Sequence, residues 1–595
     1  MVRRIIGTLG VLSAATAAPL CQQTASSGYD YIVVGGGTSG LVIANRLTEN
    51  ANVSVLVIEA GDSVYNNPNV TNVNGYGLAF GTAIDWQYQS TNQTYAGNTP
   101  QTLRAGKALG GTSTINGMAY TRAQDVQVDA WSAIGNEGWD WNSLWPYYLK
   151  SEAFTAPNQT QQAAGASYNP TYHGLTGPLD VGFTEMLPNN LSSLLNKTYQ
   201  ALGIPWTEDV NGGKMRGYNF FPSTVDDAED VREDAARAYY YPFESRPNLS
   251  VMLNTTANRI VWKNETTGGN VTAGGVEVTA LNDGTVCMVQ ANHEVILSAG
   301  SLRSPGILEL SGVGNPSILS KYNIPVKVNL PTVGENLQDQ MNNEATAVGY
   351  SAIAGTKSVS YPSVRDLFGN STDKIAATVQ KQLAQYAEAA ANQSQGTMKA
   401  SVLQRLFQVQ YDLIFKQEVP IAEIITYPST GNTLMAEYWG LLPFARGSVH
   451  IASADPTVQP VINPNYFMFD WDVQQQISIA KFIRNFYKTA PLSGILQTET
   501  KPGTSAVREG ASDGVWAEWL KETYRSNFHP VGTAAMMPRS IGGVVNERLR
   551  VYGTANVRVV DASVLPFQVC GHLTSSIYAV AERAADLIKE DSGLF

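Results

Sequence analysis

Three features of the 595-residue sequence predict an α/β protein built from two interleaved domains. A glycine-rich turn near the N-terminus sits between two apolar runs, the pattern of a βαβ unit in a parallel sheet. Two later segments repeat strand-then-helix character: NHEVILSAG before SLRSPGILELSGVG, and NVRVVDASVLP before LTSSIYAVAERAADLIKE. The long stretches between, roughly 125–240 and 340–525, are rich in Trp, Tyr and Asn with mixed periodicity and must build something else. No repeat or low-complexity linker separates these parts. The expected division is a Rossmann-like unit over 28–75, 245–335 and 540–595, including a loop at 104–122, and a substrate domain over 76–244 and 336–539.

In chain order, Arg3 and Arg4 precede the apolar, small-residue run IIGTLGVLSAATAA, which reads as a signal peptide over 1–17. A dozen N-x-S/T sequons, among them Asn92, Asn158, Asn196, Asn248, Asn254, Asn370 and Asn392, support a secreted glycoprotein. YDYIVV is then a continuous apolar strand, GGGTSG breaks it, LVIANRLTE has helical spacing, and VSVLVIEAG forms the second strand. The turn fits G-x-G-x-x-G. Gly35 permits the tight turn, Gly37 lets backbone approach a pyrophosphate, and Gly40 lets helix and strand pack closely. The helix opening at Thr38 and Ser39 offers free N–H groups and its positive dipole end to phosphate. Glu59 ends the second strand, where a carboxylate accepts from ribose hydroxyls. A second glycine fingerprint, as an NAD-using flavoprotein would carry, is not found. A secreted enzyme also needs a cofactor retained over many turnovers, which favours FAD.

Composition narrows the partners. A formal charge of −11 without a Lys/Arg run argues against nucleic acid and against a cytoplasmic-leaflet membrane surface. No later apolar stretch reaches the length of a bilayer span. Three cysteines allow at most one bridge, and whether Cys21 and Cys287 pair is open. Cys570, close to His572, suits a small buried residue in a turn better than a thiol nucleophile. No His, Cys and carboxylate cluster has metal-ligand spacing, so no metal is expected.

The chain has five histidines, at 173, 293, 450, 529 and 572. His529, in RSNFHPVGTAAM, and His572, in QVCGHLTSSIYA, lie in short glycine-flanked turns, and the other three read as structural. Imidazole takes and holds a proton near neutral pH, the group an alcohol-oxidising enzyme needs beside its redox ring. The spacing Arg525-x-Asn527-x-His529 would put a guanidinium, an amide and an imidazole on one side of a strand, a mix that suits a polyhydroxylated ring. RAGKALGGTSTINGMAYTR, from Arg104 to Arg122, is poor helix or strand material, and Arg104, Lys107, Asn116 and Gly117 suit a loop around a polar cofactor. A hydrolase would need a G-x-S-x-G elbow after a strand, which the chain lacks.

The segments RAGKALGGTSTINGMAYTR, GSLRSPGILELSGVG, SNFHPVGTAAM, VVDASVLP and QVCGHLT, in this order, resemble the signatures of the glucose–methanol–choline (GMC) oxidoreductase family. The resemblance runs from about Tyr29 to Glu590 and is strongest toward secreted fungal FAD-dependent glucose dehydrogenases, with glucose oxidase beside them. It implies an FAD domain and a substrate domain whose antiparallel sheet covers the flavin. It implies FAD contacts at Thr38, Ser39, Glu59, Ser113, Asn116, Gly117, Met118, Ala119, Ala257, Asp561, Ala562, Leu573 and Thr574. Ile115 stands where some members carry a flavin-linking histidine, so FAD is expected to be non-covalent. His529 is implied as the base and His572 as its partner on the same hydroxyl, though which removes the proton stays open. Glu437 and Tyr76 join Arg525 and Asn527 as implied sugar contacts.

The expected activity is oxidation of β-D-glucose at C1 to glucono-1,5-lactone, with electrons passing to a quinone-like or artificial acceptor. The expected protein is a monomer or homodimer. An oxygen-using GMC oxidase (glucose or aryl-alcohol type) is the first alternative, and a non-catalytic flavin- or sugar-binding protein the second.

Overall fold

The structure, a computed structural model, describes residues 28–186 and 190–594, so the expected signal peptide and Cys21 lie outside the described residues. The strands Leu249–Met252, Val55–Ile58, Tyr29–Val34 and Val286–Leu297 run parallel in that order, and Val557–Val559 pairs with the last. Ile32, Val33, Val55, Leu56 and Val57 are fully buried, as a sheet covered on both faces requires. Val286–Leu297 is longer than the apolar run that announces it. Its second half joins the parallel sheet, while its first half pairs antiparallel with Asn270–Ala280, which turns back on Thr255–Thr267. His293, near the start of the apolar run NHEVILSAG, therefore lies within a strand, its ring stacked on Tyr31 at 5.8 Å.

Between the first two strands, Gly35 at φ 106° makes the turn into the helix Thr38–Leu47. The final helix, Leu573–Ser592, lies against this first one. Arg46 Nη2 meets Glu582 Oε1 at 2.7 Å, and Lys589 Nζ meets Glu49 Oε2 at 2.8 Å.

The second sheet is antiparallel: Leu496–Lys501, Met341–Gly349, Thr433–Gly440, Ala422–Pro428, Ser358–Tyr361 and Gly217–Asn219, with Arg525–Ser526 also on Met341–Gly349. Alternating burial along Met341–Gly349 marks one face turned to the interior. Asp470–Lys488 backs this sheet with Gln475 and Gln476 fully buried against backbone carbonyls.

Cys287 is disulfide-bonded. Cys570 is a free, fully buried thiol whose Sγ lies 3.1 Å from the Pro420 carbonyl oxygen, and burial pushes its pKa well up; it is a packing residue. His173 sits between Glu152 (2.9 Å) and Asp209 (2.7 Å), and His450 between Glu309 and Glu335. Among the sequons, the Nδ2 of Asn248 donates to the Thr48, Asn50 and Val53 carbonyls, so that amide is already engaged by the fold.

Candidate active site

One cavity of about 310 Å³ gathers nearly every residue singled out in the sequence. Gly35, Gly37, Thr38, Ser39, Glu59, Ser113, Asn116, Gly117, Met118, Ala119, Ala257, Asp561, Ala562, Leu573 and Thr574 line it, with Tyr76, Glu437, Arg525, Asn527, His529 and His572. Gly40 stands behind the wall, where a Cβ would meet Gly35 O at 2.0 Å, and Lys107 also lies outside the lining, its Nζ 5.0 Å from the Trp86 ring centroid.

The glycine turn and the 104–122 loop touch backbone to backbone: a Cβ on Gly111 would lie 2.6 Å from Gly37 Cα. The helix Thr38–Leu47 has no side-chain cap, so its first-turn N–H groups remain free for an anion. Glu59 accepts from the Gly36 and Gly61 N–H groups at 2.9 and 2.8 Å, and burial pushes its carboxyl up to about 7. Ser298 Oγ is buried beside this turn without a hydrogen-bond partner. Asp561 is held by Gly300 N, Ser304 Oγ and Ser563, so its carboxylate shapes the loop that presents Ala562. Unused N–H groups, an orphan hydroxyl and a carboxylate suited to ribose together fit a bound dinucleotide. Ile115, 3% exposed, offers no nucleophile for a covalent link.

The two histidines meet at this cavity, with ring centroids 5.4 Å apart at 85°. Trp439 packs edge-on against both, at 6.3 Å from His529 and 5.7 Å from His572. His529 N donates to Asp339 Oδ1 at 2.9 Å, and its Nδ1 lies 2.9 Å from both Gln340 Oε1 and Asn527 Nδ2. Burial, reinforced by His572 and Arg525, holds the His529 pKa well below the usual imidazole value. His572 caps the final helix, and its N donates to Thr121 Oγ1 at 2.8 Å. Its Nε2 is 2.9 Å from Glu423 Oε1, a close contact whose geometry falls short of a hydrogen bond. Tyr361 OH donates to the same carboxylate oxygen at 3.0 Å.

The R-x-N-x-H segment departs from expectation. Only Arg525–Ser526 is strand, because Phe528 adopts φ 62° and its N donates to Ser526 Oγ. Asn527, expected to contact substrate, commits its amide to protein: Oδ1 accepts from Asn342 Nδ2 at 2.8 Å, and Nδ2 faces Gln340 and His529. A buried amide left without partners would cost about 1–3 kcal/mol, which accounts for this turn inward. Arg525 Nη2 pairs with Glu437 Oε2 at 2.7 Å, and Tyr427 OH donates to Glu437 Oε1. Tyr76 meets Phe80 edge-on, and Phe80 meets Phe528, giving this side of the cavity an aromatic wall.

Sequence reasoning missed Gln340, Glu423, Tyr427, Trp439 and Arg232. Glu423 had a local signal, a lone carboxylate in the apolar run AEIITYP; Gln340 had one in the amide-rich LQDQMNN. Arg232, 1% exposed, donates to Val70 O, Ser113 O and Asn116 Oδ1, and so holds the cofactor loop.

A glycine-turn sheet carrying a dinucleotide cavity, covered by an antiparallel domain, with one histidine just past that domain's Arg525–Ser526 strand and the other at the start of the final helix, defines a flavoprotein oxidoreductase. Residues 29–342 and 443–581 match the two domains of the GMC oxidoreductase family, and the chain belongs to it. Its cofactor is FAD. The chain is 45% identical to the glucose oxidase-like protein fsoC of Humicola fuscoatra, across 94% of this chain and 95% of that one. It is 36% identical to a glucose oxidase of Aspergillus carbonarius, across 94% and 92%. An FAD-dependent oxidoreductase from Chaetomium thermophilum superposes with a TM-score of 0.86 at 29% identity, covering 95% of this chain and 100% of that one. A fungal aryl-alcohol oxidase gives 0.84 at 29%, covering 95% and 99%.

Proposed function

We propose that the protein oxidises a sugar hydroxyl, that of β-D-glucose at C1, to D-glucono-1,5-lactone, in an extracellular setting. The Arg525–Glu437–Tyr427 cluster in the same cavity as the histidine pair carries this reading. An ion pair already neutralised within the protein offers fixed donors and acceptors without net charge, which suits a neutral polyol. FAD, when bound, supplies the two-electron acceptor for the hydride that leaves carbon. The protein's own groups do the rest. His529, kept neutral by burial, takes the hydroxyl proton; His572, backed by Glu423, holds the same oxygen; Trp439 packs against both rings and restricts water.

For the electrons, the reading from sequence is a quinone-like acceptor. A second reading, dioxygen with release of peroxide, is favoured by the relatives that carry glucose oxidase in their names. Anaerobic mixing of the yellow holoenzyme with a panel of sugars and aryl alcohols tests the substrate. Bleaching fastest with glucose is expected, and bleaching only with aryl alcohols would sink the proposal. Peroxide formation under air, measured against dye or quinone reduction, separates the two acceptors.

A further inference from the structure

The two ring nitrogens of His529 are not equivalent, and Gln340 separates them. Gln340 is fully buried, immediately before the strand Met341–Gly349, and its Nε2 donates to the Leu441 carbonyl at 3.2 Å. That bond fixes the amide with Oε1 turned to His529. A carbonyl oxygen only accepts, so the 2.9 Å contact with Nδ1 is a hydrogen bond when Nδ1 carries the proton. Asn527 Nδ2, beside the same nitrogen, has its own acceptor in Gln340 Oε1 at 3.1 Å. Two N–H groups thus converge on one carbonyl oxygen, which has two lone pairs to receive them. The opposite tautomer would let Nδ1 accept from Asn527 Nδ2, but it would also set the Nδ1 lone pair against that of Gln340 Oε1 at 2.9 Å, a costly mismatch away from bulk water.

We propose that Gln340 is a positioning residue for the oxidation: it fixes His529 in the Nδ1–H tautomer, so that Nε2 presents its lone pair to the cavity. It does this without charge. A carboxylate at position 340 would still accept from Nδ1–H but would favour the imidazolium and so occupy the Nε2 lone pair with a proton, whereas a neutral amide orients the ring and leaves it unprotonated. The proposal rests on His529 being the base.

Holoenzyme carrying 15N-labelled histidine tests it, because long-range 15N–1H correlations distinguish the two tautomers and loss of one signal in His529→Ala assigns the residue. Wild-type His529 is expected as the Nδ1–H form, and Gln340→Leu is expected to lose that preference. In anaerobic single turnover, Gln340→Leu should retain FAD yet reduce it about 100-fold more slowly, within what a wrong tautomer costs a catalytic histidine. Gln340→Glu should move the acid limb of the rate–pH profile upward, a shift that a merely structural role would not produce. Wild-type His529 found as the Nε2–H form overturns the proposal, and so does a Gln340→Leu enzyme with the wild-type rate and profile. If Gln340→Leu fails to fold, the wild-type spectrum and Gln340→Glu decide. Undiminished flavin reduction in His529→Ala would sink the base assignment separately, whatever the tautomer.

Discussion

His529 and His450 are half-buried imidazoles of one chain, set apart by what faces them. His450 lies between two carboxylates, Glu309 Oε1 at 2.8 Å and Glu335 Oε1 at 3.3 Å. Burial alone would lower its pKa, but the two acids outweigh it and raise it to about 10. His529 faces amides and a second imidazole, so burial acts unopposed and the ring stays neutral. Carboxylates make a histidine a permanent cation and a strut; amides leave it free to receive a proton.

Replacing His529 by Ala should break the contrast most severely, slowing flavin reduction by about 10²- to 10⁴-fold with FAD still bound. Stopped-flow bleaching measures this, and a near-normal rate would remove His529 from the chemistry. His450→Ala should do the reverse. It leaves Glu309 and Glu335 buried without a counter-charge, costing about 3–5 kcal/mol in denaturant unfolding while turnover per bound flavin stays unchanged. Lost turnover in folded, FAD-loaded His450→Ala would show that the two sites are coupled.

Arg525→Ala should lower kcat/KM for glucose by about 10- to 100-fold, the loss expected when a charged hydrogen-bonding partner is removed. An equal loss with aryl alcohols would mean that Arg525 shapes the cavity rather than selecting sugars.

The smallest effect is on pH dependence, where the two histidines carry opposite signs. His450 has a raised pKa, so its stabilisation is present below the unfolded value and is lost as pH rises through about 10. His529 has a lowered pKa, so the unfolded chain binds a proton that the folded chain refuses, and stability falls as pH drops below about 6.5. Flavin reduction should stay level through that pH and decline only well below it. An acid limb centred at or above it would show that the working base is a different group.

The parallel sheet and its glycine turn were legible in sequence because their signals are local. A glycine turn, two apolar strands and Glu59 all fall between Tyr29 and Gly61, and each is forced by backbone geometry at its own position. The substrate side is assembled from strands far apart in the chain. Gln340 reaches His529 from 189 residues earlier, and nothing in LQDQMNN says which histidine it will face. The R-x-N-x-H segment differs from the strand it suggests for a related reason: period-2 alternation assumes a strand, and Phe528 in the left-handed region ends it. Residue type announced the chemistry, but only the pairing of Met341–Gly349 with Arg525–Ser526 fixed what touches what.

The clasp of Leu573–Ser592 on Thr38–Leu47 bears on how the protein is made. The glycine turn leaves the ribosome long before its partners: its strand waits for Val286–Leu297, and its helix waits for Leu573–Ser592, far downstream. Both imidazoles of the cavity also emerge well after the glycine turn. Until then a nascent chain exposes an apolar sheet edge of the kind that chaperones shield and that aggregates when crowded. Slow translation or early quality control should therefore limit the yield of holoenzyme more than any weakness of its finished core.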